Sequence, residues 1–339
     1  MINMKEYGAA AEMAAMTKET ILGRVTAVHK GRYELVCEKG GCFGQLKKSV
    51  YLEGTENFPT VGDFVELQYN ETGDSRIVKT LPRTSFFSRL DPSSAGHWDQ
   101  AVAANFDYVF LLQSLNADFN LRRLERYLAL AWQSGAEPVV VLTKADLKAD
   151  FQEELNAVQK AAAGVSVHAV SAKSGYGMEA LQSYLQPGKT IVFLGSSGVG
   201  KSSLVNALAG QEWMETGEIR EEDCRGRHTT TYRQLIMTKE KAIFIDTPGM
   251  RELGMWDAKE GLEQTFYDVE KFLGQCRFRD CRHDTEPGCA VREALAAGKL
   301  SRERWESYCK LKREIQSIQK RAAATMKRRS ASPGNRKKR

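Results

Sequence analysis

The run Gly195-Ser196-Ser197-Gly198-Val199-Gly200-Lys201-Ser202, continued by Ser203, constrains this chain more than any other stretch. It follows an apolar segment at 190–194 and leads into a helical pattern at 202–209. Strand, glycine-rich turn and helix in that order form a loop whose backbone N–H groups wrap an anion. The helix dipole adds partial positive charge. In such a loop Lys201 reaches the terminal phosphates of a nucleoside triphosphate, and the Ser202 hydroxyl ligates Mg²⁺. Apolar runs at 108–112, 139–142, 166–170, 191–194 and 243–245 alternate with helical segments at 121–133, 152–163, 178–184 and 202–209. Near-continuous apolar strands interleaved with helices predict a mostly parallel sheet covered on both faces.

A phosphate loop serves adenine and guanine nucleotides alike, so the base must be read elsewhere. Thr143-Lys144-Ala145-Asp146 lies just past the strand at 139–142. The Asp146 carboxylate suits guanine, whose N1–H and amino group form a donor pair that adenine lacks. Lys144 would lie along the ring. Ser171-Ala172-Lys173, beyond 166–170, offers backbone N–H to the guanine oxygen. Either string alone is a common surface turn, but both sit at strand ends, where ligands gather in α/β sheets. Asp246 follows 243–245 and would hold Mg²⁺ through water, with the Gly249 N–H sensing the γ-phosphate. In the interval stands Arg225-Gly226-Arg227-His228-Thr229-Thr230-Thr231, with Thr230, then Thr229, as the expected Mg²⁺ hydroxyl. GTP and Mg²⁺ are therefore the expected ligands, and Asp146 argues against an ATPase or kinase. Base readers precede the phosphate loop, the reverse of the usual order in GTPases, so the domain is circularly permuted.

Upstream, short runs at 21–28, 32–37, 44–46, 64–69 and 76–81 are separated by glycine turns. They predict a five-stranded barrel of the oligonucleotide-binding type or another small β-barrel. Residues 1–18 read as a short helix or frayed end, and 83–105 as an irregular linker. Past 258 the pattern is helical, ending in a charged helix at 301–319. There Cys276, Cys281, His283 and Cys289 are spaced by four, one and five residues. Three thiolates and an imidazole suit a closed, structural Zn²⁺ site. Cys37, Cys42, Cys224 and Cys309 read as ordinary residues.

The net charge of +6 has one source: residues 327–339 carry seven basic side chains and no acid, against 42 basic and 43 acidic elsewhere. Such a tail suits a polyanion. So do Arg277, Arg279 and Arg282 among the zinc ligands, with Lys310, Lys312 and Arg313 on the next helix. No apolar run approaches the roughly 20 residues of a membrane span. The start of the chain lacks the apolar core of a secretory signal. A cytoplasmic monomer, away from membranes, is expected.

With these motifs in order, the sequence resembles the bacterial ribosome small-subunit-dependent GTPase A family from about residue 21 to 320, with the zinc-ligand spacing matching. The resemblance implies four segments. Residues 1–82 form an oligonucleotide-binding-type barrel with an N-terminal extension, and 83–258 a permuted P-loop GTPase domain. Residues 259–325 form an α-helical zinc module, and 326–339 a basic disordered tail. It also implies binding to the small ribosomal subunit and its rRNA, a role in late maturation, and hydrolysis of GTP to GDP stimulated by that subunit. Met250 stands where Ras-like enzymes place a water-positioning glutamine. The family suggests His228 as the catalytic substitute. Thr143 stands where many GTPases have Asn, so one base or loop contact is weakened or replaced. Gly198 stands where potassium-activated GTPases often have Asn, so no potassium dependence is expected through that contact. A rival reading is a nucleotide-gated RNA-binding placeholder whose hydrolysis is incidental.

Overall fold

A computed structural model describes residues 1–10, 19–47, 58–90, 99–214, 234–246 and 258–330. Cys224, His228, Thr229, Thr230, Gly249, Met250 and the tail from 331 lie outside the described residues. The chain divides into two compact units. One comprises Met1–Arg89, Ala101–Asn120 and Ser134–Leu253; the other comprises Leu90–Gln100, Leu121–Gln133 and Gly254–Arg339.

The first unit opens with β1 (Ile21–His29), β2 (Arg32–Cys37), β3 (Gly40–Leu46), β4 (Phe64–Gln68) and β5 (Ser75–Thr80). β1 pairs with both β2 and β4, and β3 and β5 complete the ring, so the five strands close. Alternating side chains point inward, where Val25, Leu35, Val65, Leu67 and Ile77 make a dry core. The stretch expected to be irregular, 83–105, instead holds β6 (Phe86–Leu90) and β7 (Asp99–Ala104), which pair as a two-stranded sheet.

The α/β part contains β8 (Tyr108–Ser114), β9 (Glu137–Thr143), β10 (Ser166–Ala169), β11 (Thr190–Leu194), β12 (Gln234–Met237) and β13 (Ile243–Asp246). Strands β10-β9-β8-β11-β13 run parallel in that order, as the apolar runs require. β12 adds antiparallel to β13 and meets β1 at Ala27↔Gln234, which merges sheet and barrel into one eleven-stranded sheet. Of the helices, α1 (Leu121–Gln133) belongs to the second unit, while α2 (Gln152–Ala161) and α3 (Lys201–Ala209) belong to this one. Phe110, Val141, Phe193 and Phe244 pack with Val205 and Leu208 of α3 in the main core. The helix expected at 178–184 is a 3-10 helix, Met178–Tyr184. Gly177 caps it with φ 68°, and a Cβ there would lie 2.2 Å from the Ala169 carbonyl.

Arg24 of β1 is 1% exposed. Its guanidinium donates to the carbonyls of Tyr7, Gly62 (3.2 Å) and Asn105 (2.9 Å) and to Thr190 Oγ1 (3.0 Å). Burial pushes its pKa down to about 10. This single cation therefore fastens the barrel to the start of β11, the strand that carries the phosphate loop.

In the second unit α1 packs against α4 (Lys259–Thr265), followed by α5 (Tyr267–Glu270), α6 (Ala290–Ala296) and α7 (Arg302–Ser330). Gly261 permits close approach, since a Cβ there would sit 1.9 Å from the Ala129 carbonyl. Arg304 lies over the Phe266 ring and binds Glu125 (2.7 Å), Asp268 (2.9 Å) and the Thr265 carbonyl (2.7 Å). It ties α7 to α1, α4 and α5. Among the described residues, no helix is long and apolar enough to cross a membrane.

Candidate nucleotide site and metal cluster

The phosphate loop starts from a fully buried strand, β11. Gly195 has no room for a side chain: a Cβ would meet Val199 at 2.8 Å and Leu112 at 3.0 Å. Gly198 and Gly200 have φ of 73° and 97°, which disfavour any other residue. Val199 is buried and anchors the loop from beneath. Ser197 completes the loop, and Lys201, Ser202 and Ser203 form the first turn of α3. The Lys201 ammonium lies 2.7 Å from Asp246 Oδ1, so the helix start and the end of β13 converge. The Ser196 hydroxyl donates to Asp118 Oδ2 at 2.6 Å. Asp118, on the segment after β8, was not among the sequence candidates, and no motif marks it.

The guanine-side strings meet the loop from β9 and β10. Thr143 ends β9, and its buried hydroxyl donates to the Val199 carbonyl at 2.5 Å. Lys144 adopts φ 59°, which turns the chain sharply off the strand, and its side chain lies beside Gly200. The Ala145 N–H bonds the Val170 carbonyl at 3.1 Å, pinning this turn to the one after β10. Asp146 Oδ1 accepts the Ser171 hydroxyl at 2.6 Å. That bond, helped by Lys173 and Lys144, holds the exposed carboxyl below its ordinary pKa. The Ser171 N–H is engaged with the Tyr176 carbonyl at 2.9 Å. A cavity of about 350 Å³ opens here, within the range of small-ligand sites. Thr143, Lys144, Asp146, Ser171, Ala172, Lys173, Gly200 and Ser203 line it. Leu147 and Leu204 add apolar walls that the motifs did not single out.

In the second unit, the ligand atoms of Cys276, Cys281, His283 and Cys289 all lie within 4.8 Å of one another. Cys276 Sγ is 3.9 Å from Cys289 Sγ and 3.4 Å from His283 Nδ1, which is 3.5 Å from Cys289 Sγ. Zn–S near 2.3 Å and Zn–N near 2.0 Å give tetrahedral edges of about 3.8 Å for S···S and about 3.5 Å for S···N. The donor set therefore fits one zinc ion. His283 has φ 62°, in a knuckle fixed by Glu286. The Glu286 carboxylate accepts the N–H groups of Arg282, Asp284 and Thr285, which hold its pKa down to about 2. Two basic residues on α7 turn onto their own helix: Lys312 Nζ reaches Tyr308 Oη, and Arg313 Nε reaches the Cys309 carbonyl.

A parallel sheet, a glycine loop feeding a helix, and base-side turns that precede that loop in sequence define a phosphate-loop α/β protein in permuted order. Comparison with known proteins narrows the class. A family model described as RsgA GTPase matches residues 80–256. The small ribosomal subunit biogenesis GTPase RsgA 1 of Listeria innocua is 48% identical over 294 residues, covering 86% of this chain and 83% of its own. The RsgA 2 protein of Lactiplantibacillus plantarum is 45% identical, covering 93% and 90%. Among solved structures, YjeQ from Thermotoga maritima superposes with a TM-score of 0.66 at 28% identity, covering 88% of this chain and 99% of its own. YloQ, described as a circularly permuted GTPase, gives 0.61 at 26%, covering 89% and 97%. The chain belongs to the RsgA GTPase family, whose members hydrolyse GTP.

Proposed function

We propose that this protein binds GTP in the cavity between the phosphate loop and the 143–146 turn, and hydrolyses it while engaged with the small ribosomal subunit during late maturation. The relatives' names, small ribosomal subunit biogenesis GTPase, support the partner. The observation that carries the nucleotide reading is the Asp146–Ser171 pair, a preoriented carboxylate held in its charged form in the cavity that Gly200 also lines. The carboxylate takes the guanine N1–H and amino group. With the Ser171 amide spent on Tyr176, the amides of Ala172 and Lys173 are left to meet the guanine oxygen. Gly195 through Ser203 cradle the phosphates, with Lys201 leaving Asp246 for the β- and γ-oxygens. Ser202, Thr230 and Asp246 would hold Mg²⁺, which when bound neutralises phosphate charge. Gly249 senses the γ-phosphate, and His228 takes the water-orienting place that Met250 cannot fill.

The barrel of residues 1–82, of the oligonucleotide-binding type, and the helical module of 259–325 act as the rRNA-facing parts, joined by the basic tail of 326–339. A zinc ion on Cys276, Cys281, His283 and Cys289 supplies folding energy rather than chemistry. The protein works as a cytoplasmic monomer, and the subunit stimulates turnover. The test is GTP turnover with and without purified small subunits, for the wild type and Asp146→Asn. Stimulation in the wild type and lost GTP preference in the variant are expected. Equal turnover with and without subunits overturns the partner, and unaltered base preference overturns the site.

A further inference from the structure

We propose that Arg32 and Phe43, stacked on the outer face of the barrel, form a platform that takes one unpaired base of single-stranded RNA. The proposal rests on the reading of the barrel as an rRNA-facing part, and adds to it the residues and the kind of contact. β3 lies between β2 and β5, pairing Phe43 with Glu34 on one side and Gln45 with Arg76 on the other. Phe43, Gln45 and Arg76 are exposed while Gly44, Ser75 and Ile77 between and beside them are buried, so the three side chains point outward. Phe43 is 39% exposed, the one large apolar side chain left exposed among the described residues of the five barrel strands. Arg32, at the start of β2, reaches across β3 to Asp74, which stands just before β5. Its guanidinium carbon lies 3.7 Å from the centre of the Phe43 ring. Nε and Nη2 bind the Asp74 carboxylate, with Nη2 2.7 Å from Oδ1, and Gln45 Nε2 donates to Asp74 Oδ2 at 2.8 Å. The bonds from Arg32, then Gln45, hold the Asp74 carboxyl below its ordinary pKa. One face of the guanidinium is on the ring, yet the Arg32 side chain is 47% exposed. Exposed ion pairs add little to stability, so the fold itself has small need of this arrangement. What it offers is a flat surface whose side chains lose no further freedom on binding. Any nucleobase presents a π face to such a surface. Asp74 offsets the charge of Arg32, so the contact is stacking rather than phosphate attraction. The exposed cations Lys30, two residues from Arg32, and Arg76, opposite Gln45, stand beside it for the backbone.

The test is titration of the full chain, over a range of salt, with a fluorescent unstructured oligoribonucleotide and with an abasic oligomer of equal length. Phe43→Leu keeps an apolar side chain and removes the ring; Arg32→Lys keeps the charge and removes the plane. Each should weaken binding of the base-bearing oligomer about fivefold or more. Binding of the abasic oligomer and the slope of affinity against salt should stay as in the wild type, because no phosphate contact is lost. A merely structural pair would not separate the two oligomers. Should Phe43→Leu lower the melting temperature, Arg32→Lys, which leaves the ring in place, carries the same test. Wild-type affinity in Arg32→Lys, or equal losses for both oligomers, overturns the platform. A wild type that binds neither oligomer instead overturns the reading of the barrel as an RNA-facing part, and the platform with it.

Discussion

Arg24→Met is the sharpest test of how barrel and sheet are joined. Methionine fills most of the arginine's volume, so the change isolates polar loss from cavity formation. Of the four acceptors, the Gly62 carbonyl keeps a donor in Asn105 Nδ2 at 3.2 Å. Thr190 Oγ1 can rotate to donate instead. The carbonyls of Tyr7 and Asn105 lose the guanidinium that now meets them. Leaving the buried Asn105 carbonyl and the part-buried Tyr7 carbonyl without it costs up to about 1–3 kcal/mol each. Against this stands the relief of no longer burying a cation, whose depressed pKa records that penalty. A net loss of about 2–4 kcal/mol follows, removing the charge but not repairing its partners. For a unit of this size that lowers the melting temperature by about 4–16 °C. Differential scanning calorimetry of the full chain measures it. A variant that melts within about 2 °C of the wild type would show that the four contacts do not act as a cross-link.

Three further outcomes follow from contacts described above. Ser171→Ala removes the donor that holds the Asp146 carboxyl below its ordinary pKa. The wild-type carboxylate keeps its charge until pH falls through that lowered value, so in the variant the acid-side loss of GDP affinity should move to higher pH; coincident acid limbs in GDP titrations would refute the role of the hydroxyl. Gly261→Ala drives a methyl into the Ala129 carbonyl, 1.9 Å from the ideal Cβ, and should destabilise the α1–α4 contact by about 3 kcal/mol or more; a wild-type melting profile would show that the helices part without cost. Stripping metal with a strong chelator, or Cys289→Ser, should lower the zinc content from one equivalent and melt the helices of the second unit while GDP binding persists; metal-free protein with unchanged circular dichroism would rule out a structural ion.

The motif-bearing parts of the fold were readable because local chemistry dictates them. The five barrel strands and the parallel runs lie within a few residues of their sequence positions, since alternating or continuous apolar patterns report burial directly. The phosphate loop and the cysteine cluster were equally legible, each needing fixed residue types at fixed spacing. What escaped notice depends on distant partners. The four residues of β12 are too few to show a period, and their pairing is decided by β13 and β1. Arg24 reads as an exposed strand residue until its acceptors, up to 166 residues away, are assembled. Glu125 reads as a solvated helix charge but is buried against Arg304, 179 residues on. Asp118 and the bond between Thr143 and the Val199 carbonyl belong to the same category, because a hydrogen bond between separate loops leaves no mark on either sequence.

The second unit is assembled from three separate stretches, one of them the helix directly after β8. No single cut in the gene can therefore release either half intact. A fragment ending at residue 253 would retain α1 but strip it of α4, leaving an apolar stripe bare and prone to clump. The reciprocal fragment would carry Arg304 with no Glu125 to receive it. Any rearrangement that exchanged the C-terminal region would accordingly have to rewrite residues 121–133 as well, despite the wide gap between the two along the chain.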